Sequence, residues 1–219
     1  MLLGGRPLIA YTVDAALASG ALTRVVVSTD DQDVATVART LGADVPFLRP
    51  VHLAGDDTPM LNVLVDLVAS LDRSEGYRPD ILVLLQPTSP FRRAKHIDAA
   101  IDLLTRSGAD SVVTVVPVPH QFAPTSLMQL QDGRLVPYVE GPAPMRRQDK
   151  PRLFARNGPA VVAVRTHVVT EQGTLYGSDT RGMVMTREDS IDIDDAFDLD
   201  LAELLLVART GGRGAGSSA

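Results

Sequence analysis

Short apolar runs alternate with longer amphipathic stretches from Pro7 onward, and that alternation predicts most of the elements. Pro7 to Ser19 reads as a helix with proline in its first turn and Gly20 beyond its end. Arg24 to Ser28 is a β-branched run of strand length, and Val45 to Leu48 is another. Between them, Asp31 to Leu41 has the spacing of an amphipathic helix stopped by Gly42. Thr58 and Pro59 form a cap and first-turn pair opening a helix to about Leu71. Ile81 to Leu85 is wholly apolar and too short for a helix, which predicts a central parallel strand buried on both faces. Lys95 to Arg106 is a helix ended by Gly108, and Ser111 to Val116 is again a strand. This rhythm predicts a doubly wound α/β domain with a mostly parallel sheet.

The rhythm breaks from Pro117 to Pro159, where prolines are dense and Asp132-Gly133 marks a hairpin. That stretch is expected to form an arm leaving a single domain of residues 1–209. Strand character returns at Ala160 to Val164 and at Met183 to Met185, and Thr210 to Ala219 is a Gly/Ser-rich tail expected to be disordered.

The most informative stretch is Ser190-Ile191-Asp192-Ile193-Asp194-Asp195. Side chains in a strand alternate faces, so Ile191 and Ile193 point into a core while Asp192 and Asp194 share the other side. Adjacent carboxylates repel, and a divalent cation offsets that repulsion; hard oxygen ligands suit Mg²⁺. Capping of the helix from Ala196 to about Ala208 is the competing reading, and it fits Asp195, Asp198 and Asp200.

Composition narrows the chemistry. The 219 residues carry no Cys, which removes disulfides, thiolate metal sites and Cys nucleophiles. The net charge is −6, Trp is absent and no basic run occurs, which argues against nucleic-acid and acidic-membrane partners. The four histidines lack ligand spacing, and no apolar run is long enough to span a bilayer. A cytoplasmic protein is the expectation.

Ligands of open α/β sheets bind beyond the carboxyl ends of the strands. Three polar clusters fall there. Gln86-Pro87-Thr88-Ser89-Pro90-Phe91-Arg92 holds an amide and two hydroxyls in a loop braced by prolines, suited to a sugar's hydroxyls. Arg49-Pro50 precedes Leu53-Ala54-Gly55-Asp56, whose small residues admit a base or phosphate to the backbone. Ser28-Thr29-Asp30-Asp31 reads as a helix cap. A fourth cluster lies in the arm: Arg146-Arg147-Gln148-Asp149 and Arg156-Asn157-Gly158 offer guanidinium groups that grip carboxylates or phosphates.

Taken in order, these segments resemble the acylneuraminate cytidylyltransferases, the CMP–sialic acid synthetase family. The resemblance runs from Gly5-Arg6-Pro7-Leu8-Ile9 through Val25–Asp30, Pro46–Pro50, Leu53–Asp56, Gln86–Pro90, Arg147–Asp149 and Arg156–Gly158 to Ser190–Asp194. It implies a three-layer, Rossmann-like fold of the nucleotide-diphospho-sugar transferase kind. It also implies transfer of CMP from CTP to a nonulosonic acid, with release of pyrophosphate. Asp192 and Asp194 would then hold Mg²⁺. Gln86, Thr88, Ser89 and Asn157 would hold the sugar, Arg49, Ala54, Gly55 and Asp56 the cytidine, and Arg147 and Arg156 the sugar carboxylate or phosphates. The family's arm implies a homodimer.

The family opens with a strand and a basic Gly/Ser loop around the triphosphate, whereas this sequence starts at what would be the end of that loop. The expectations are an upstream start for the natural protein, poor or absent turnover by residues 1–219, and an exposed apolar slot in the sheet. The alternatives are an inactive remnant, a sugar- or nucleotide-binding module without turnover, and a cytidylyltransferase for legionaminic, pseudaminic or another sugar acid. A glycosidase is disfavoured, because its two acids face each other across a scissile bond.

Overall fold

The computed structural model describes residues 1–139, 146, 150–158 and 160–211. Strands β1 (Leu2–Leu3) and β2 (Arg6–Pro7) form a small hairpin leading into helix α1 (Leu8–Leu17). Helix α2 (Gln32–Thr40) follows, capped by the Asp31 carboxylate, which accepts from the Asp33 and Val34 N–H groups. Helix α3 (Met60–Glu75) starts after Pro59 and stops at Gly76, which has a φ of 66°. Strand β3 (Ile81–Leu84), helix α4 (Ala94–Ser107) and strand β4 (Ser111–Pro117) complete the first half.

The second half contains the hairpin β5 (Met128–Gln131) and β6 (Arg134–Pro137), turning at Asp132-Gly133 with positive φ at both residues. Then come β7 (Phe154–Arg156), β8 (Val162–Arg165), the short helix α5 (Thr166–Thr170), β9 (Thr180–Val184) and α6 (Ala196–Gly211). Residues 212–219, the rest of the predicted tail, lie outside the described residues.

Helices cover both faces of the main sheet. Ile81, Val83, Val112 and Ala163 pack with Ala15 and Ala16 of α1 and with Ile97, Ala100 and Leu104 of α4. The alternate positions Leu82, Leu84 and Val164 pack with Leu64 of α3 and with Val168 and Val169 of α5. A strand alternation of two thus divides the apolar residues between two cores.

Three expectations about the sheet need correction. The first is strand direction. β8 lies between β3 and β4 and runs antiparallel to both, so those two strands are parallel to each other without touching. β9 pairs parallel with β4, and the sheet is mixed rather than mostly parallel in its ladders. The described residues of the 117–159 excursion include no α-helix, and the chain re-enters antiparallel to β4. β7 and β8 share one edge of β4, with a bulge at residues 157–161 where Thr114 Oγ1 accepts from the Val161 N–H at 3.0 Å.

The second concerns Arg24 to Ser28 and Val45 to Leu48, which form one parallel bridge, Val26 to Asp44, instead of two strands. The third is that β3 is an edge and not a centre: among the described residues it pairs only with β8, and all four of its residues are half-buried.

Both departures border the same apolar cavity. This cavity, of about 820 Å³, separates Val25–Val27 from Ile81–Leu84. Val13 and Ala16 of α1 line it on one face, and Leu64 and Leu67 of α3 on the other. An exposed apolar lining of this kind binds apolar dyes. We expect dye fluorescence to rise in proportion to folded protein and to fall with Leu67→Glu, whose carboxylate would enter the lining. Folded protein giving no enhancement would show a closed slot.

Candidate active site

The site is built where a loop and an extended segment cross. Past β3 the chain turns through Gln86 to Arg93. Pro90 and Ser89 are buried there, and Ser89 is fully so. Past β9 a turn at Thr186–Ser190 leads into Ile191–Asp195. That segment is not a strand of the sheet, contrary to expectation: the chain crosses the Gln86–Arg93 loop instead of continuing along an edge. Its Ile193 N–H donates to the Thr88 carbonyl at 2.9 Å. Ile191 and Ile193 pack with Leu3, Phe91 and Ala202, as their alternation predicts, which leaves Asp192 and Asp194 on the opposite side.

Ser89 Oγ donates to Asp192 Oδ1 at 3.2 Å, joining residues 103 positions apart. The bulge between β7 and β8 brings Asn157 and Gly158 to the same place. Gly158 has a φ of 59°, and a Cβ built there would lie 3.1 Å from Asp192 Cγ and nearer still to Oδ2. Glycine is therefore required twice over, by backbone conformation and by contact. Asn157 is 5% exposed; its Nδ2 donates to Ser190 Oγ at 2.8 Å, and its buried Oδ1 has no hydrogen-bond partner among the described residues. A buried unpaired acceptor is costly unless a ligand donor completes it.

Arg92 braces the loop from beneath. Its guanidinium donates to the Gln86 carbonyl at 3.1 Å, to the Ala160 carbonyl at 2.6 Å and to Thr12 Oγ1 at 2.5 Å. It is 2% exposed, and burial pushes its pKa down to about 10 while the charge of Asp192 opposes that shift. Arg92, Gly158 and Ser190 fall inside candidate stretches of the sequence, but the sequence assigns none of them a role. An arginine closing a Pro-rich loop was the one available signal.

The other expected residues are more dispersed. Arg49 is tied to Ser28, with Nε donating to its Oγ at 3.2 Å and Nη2 to its carbonyl, and it lines the same cavity as Gln86. Gly55 and Asp56 line a separate hollow with Thr58 and Asn62, away from the cavity that Arg49 and Gln86 share. Arg156 is exposed, with its guanidinium 4.8 Å over the Tyr176 ring. Arg147 lies outside the described residues.

Asp192 and Asp194 take part in no ion pair among the described residues, and no group of three or more His, Asp or Glu forms a metal cluster there. Two unpaired carboxylates with hard oxygens fit a Mg²⁺ that completes its shell with phosphate and water.

A family model described as Cytidylyltransferase matches residues 1–174. The chain is 32% identical over 206 residues to a CMP-N,N'-diacetyllegionaminic acid synthase of Legionella pneumophila, covering 94% of this chain and 87% of that one. It is 33% identical over 204 residues to N-acylneuraminate cytidylyltransferase A of Danio rerio, covering 92% of this chain and 45% of the relative. A solved CMP:2-keto-3-deoxy-manno-octonic acid synthetase in complex with CTP superposes with a TM-score of 0.69 at 16% identity, covering 95% of this chain and 91% of that one. That likeness establishes the fold.

Proposed function

The chain belongs to the cytidylyltransferase family, and from that premise we propose that it joins CMP from CTP to a nonulosonic acid of the sialic or legionaminic type, releasing pyrophosphate. The observation that carries the reading is the crossing of the Gln86–Arg93 loop with Ile191–Asp195, where Ser89 meets Asp192.

The reaction is attack by the sugar's anomeric hydroxyl on the α-phosphorus with pyrophosphate leaving, so positioning and charge neutralisation dominate. Gln86, Thr88 and Ser89 present an amide and hydroxyls to the sugar from a loop that Arg92 and two prolines hold rigid. Asn157 Oδ1 accepts from a substrate hydroxyl, which fills its missing hydrogen bond. Arg49 and residues Ala54–Asp56 hold the cytidine side, and Arg147 and Arg156 take the sugar carboxylate or phosphates. Asp192 and Asp194 hold Mg²⁺, which when bound neutralises phosphate charge and lowers the pKa of an attacking hydroxyl. The same reading carries a homodimer formed through the 117–159 excursion, whose hairpin exposes Leu130 and Leu135. It also carries a cytoplasmic location, where CTP is available.

The test is a long incubation of the chain with CTP, Mg²⁺ and a panel of acids, with products identified by mass. We expect a CMP conjugate of N-acetylneuraminic or N,N'-diacetyllegionaminic acid, formed slowly, and none of the eight-carbon keto-deoxy-octonic acid. A conjugate of the eight-carbon acid alone, or no conjugate at all, would overturn the reading.

A further inference from the structure

We infer that Asp189 is a positioning residue that, through Arg93, fixes the Gln86–Arg93 loop against the segment carrying Asp192 and Asp194. The inference rests on the function proposed above and extends it to a group outside the site.

Asp189 is 1% exposed, and its carboxylate partners are Arg93, Arg209 and His96 rather than Ser89. A buried carboxylate is tolerated only with charge partners and hydrogen bonds, and this one has both. Oδ2 accepts from Arg93 Nη2 at 2.5 Å and faces His96 Nε2 at 3.5 Å. Oδ1 accepts from Arg209 Nη2 at 2.9 Å. His96 Nδ1 accepts from the Arg93 N–H at 3.1 Å, which directs its other nitrogen toward the carboxylate.

The two oxygens face different arginines, one ending the loop and one on α6. Arg93 is the last residue of the loop that starts at Gln86, so Oδ2 holds that loop and the start of α4. Arg209 belongs to α6, also donates to the Glu188 carbonyl at 2.9 Å and lies 4.4 Å over the Phe91 ring, so Oδ1 anchors the last helix. Asp189 itself stands three residues before Asp192, in a turn closed by Thr186 Oγ1 on its N–H and by the Ser190 N–H on the Arg187 carbonyl. The loop and the acidic segment are thereby joined at two points: at Thr88–Ser89 with Asp192–Ile193, and at Arg93 with Asp189. The second point adds a charge-assisted bond at Arg93 to the hold that the Ile193–Thr88 bond, the Asn157–Ser190 bond and the packing of Ile191 and Ile193 already give the segment.

The division between the oxygens makes the inference testable on the whole chain, with readouts other than turnover. Amide exchange of Ile193 reports the crossing, exchange of Val112 reports the sheet, and Mn²⁺ binding with CTP present, followed by electron paramagnetic resonance, reports the carboxylates. Asp189→Asn and Arg93→Gln should each speed Ile193 exchange by about tenfold or more, as loss of a charge-assisted hydrogen bond does, and leave Val112 unchanged. Both should weaken Mn²⁺ several-fold. Arg209→Gln should lower thermal stability and, because Arg209 reaches the loop only through the Phe91 ring, change Ile193 exchange and Mn²⁺ binding less than Arg93→Gln does. Arg93 is half exposed, so its variant tests the idea even if Asp189→Asn does not fold. Unchanged Ile193 exchange in Arg93→Gln, or an equal change in Arg209→Gln, would make Asp189 a structural knot and end the proposal. Normal Ile193 responses in a chain that binds no Mn²⁺ would uphold the positioning role and refute the metal reading.

Discussion

Gly158→Ala is expected to reduce turnover by about 100-fold or more, the penalty of a reacting group displaced by about 1 Å. Two costs fall on that single methyl group. The residue sits at φ 59°, where an L side chain costs about 1–2 kcal/mol. The methyl would also collide with the Asp192 carboxylate, and Asp192 is not free to yield on every side. Ser89 holds its Oδ1, and Ile193 next to it is bonded to Thr88 and packed into the core beneath α6. The carboxylate must therefore rotate away from Ser89, or the bulge at 157–161 must shift and carry Asn157 with it. Gly133→Ala is the control: φ is 78° but nothing lies within 4 Å, so it bears the backbone cost without the collision. Turnover of the two variants, compared at equal folded fraction in urea, separates strain from displacement. A Gly158→Ala protein within a few-fold of the parent would show that the Asp192 position does not matter to the chemistry.

Much of this arrangement is visible in the sequence, because the signals are local. Gly20, Gly42, Gly76 and Gly108 punctuate helices whose apolar spacing is clear, and Asp132-Gly133 specifies its own hairpin. The alternation of Ile191 and Ile193 with Asp192 and Asp194 identifies the core side of that segment correctly even though it joins no ladder. Alternation encodes which face a residue takes, not which neighbour its backbone finds. For that reason the antiparallel entry of β8, the edge position of β3 and the weak pairing of Arg24 to Ser28 are not legible. Ile81–Leu84 reads as central because it is apolar throughout, and it borders a slot instead.

The residues missed at the site are those whose importance comes from distant contacts. Arg92 looks like one basic residue in a pair, yet its bonds reach Thr12 and Ala160, 80 and 68 positions away. Gly158 resembles an ordinary turn glycine until Asp192 is placed against it. Asp189 sits in the polar run Arg187-Glu188-Asp189-Ser190, where exposure is the natural reading, and only the convergence of α4 and α6 buries it. Contact over such separations is set by packing, which no local pattern specifies.

Removing the two shared-side carboxylates is the other large effect. Asp192→Asn keeps the shape and an oxygen for Ser89 but deletes the charge, and turnover is expected to fall by roughly 10²- to 10³-fold, the scale for losing one electrostatic group that acts on developing charge. Asp194→Asn should produce a comparable loss with less effect on folding. Asp194 is exposed, and its backbone N–H donates to Asp198 Oδ2 at 3.1 Å, a bond independent of its side chain. Asp192→Asn should cost more stability than Asp194→Asn, because the Asp192 charge offsets part of the burial penalty on Arg92. The double alanine variant should retain the sheet and lose both turnover and any response to Mg²⁺. The Mg²⁺ titration is the decisive measurement, since a carboxylate that only orders Ser89 would change the maximal rate without shifting the half-activating Mg²⁺ concentration. A shift in Asp192→Asn and Asp194→Asn alike assigns both side chains to one cation. Unshifted titrations with turnover within tenfold of the parent would return both acids to the role of N-terminal charge for α6, and the crossing at Ser89 would then be a feature of the fold alone.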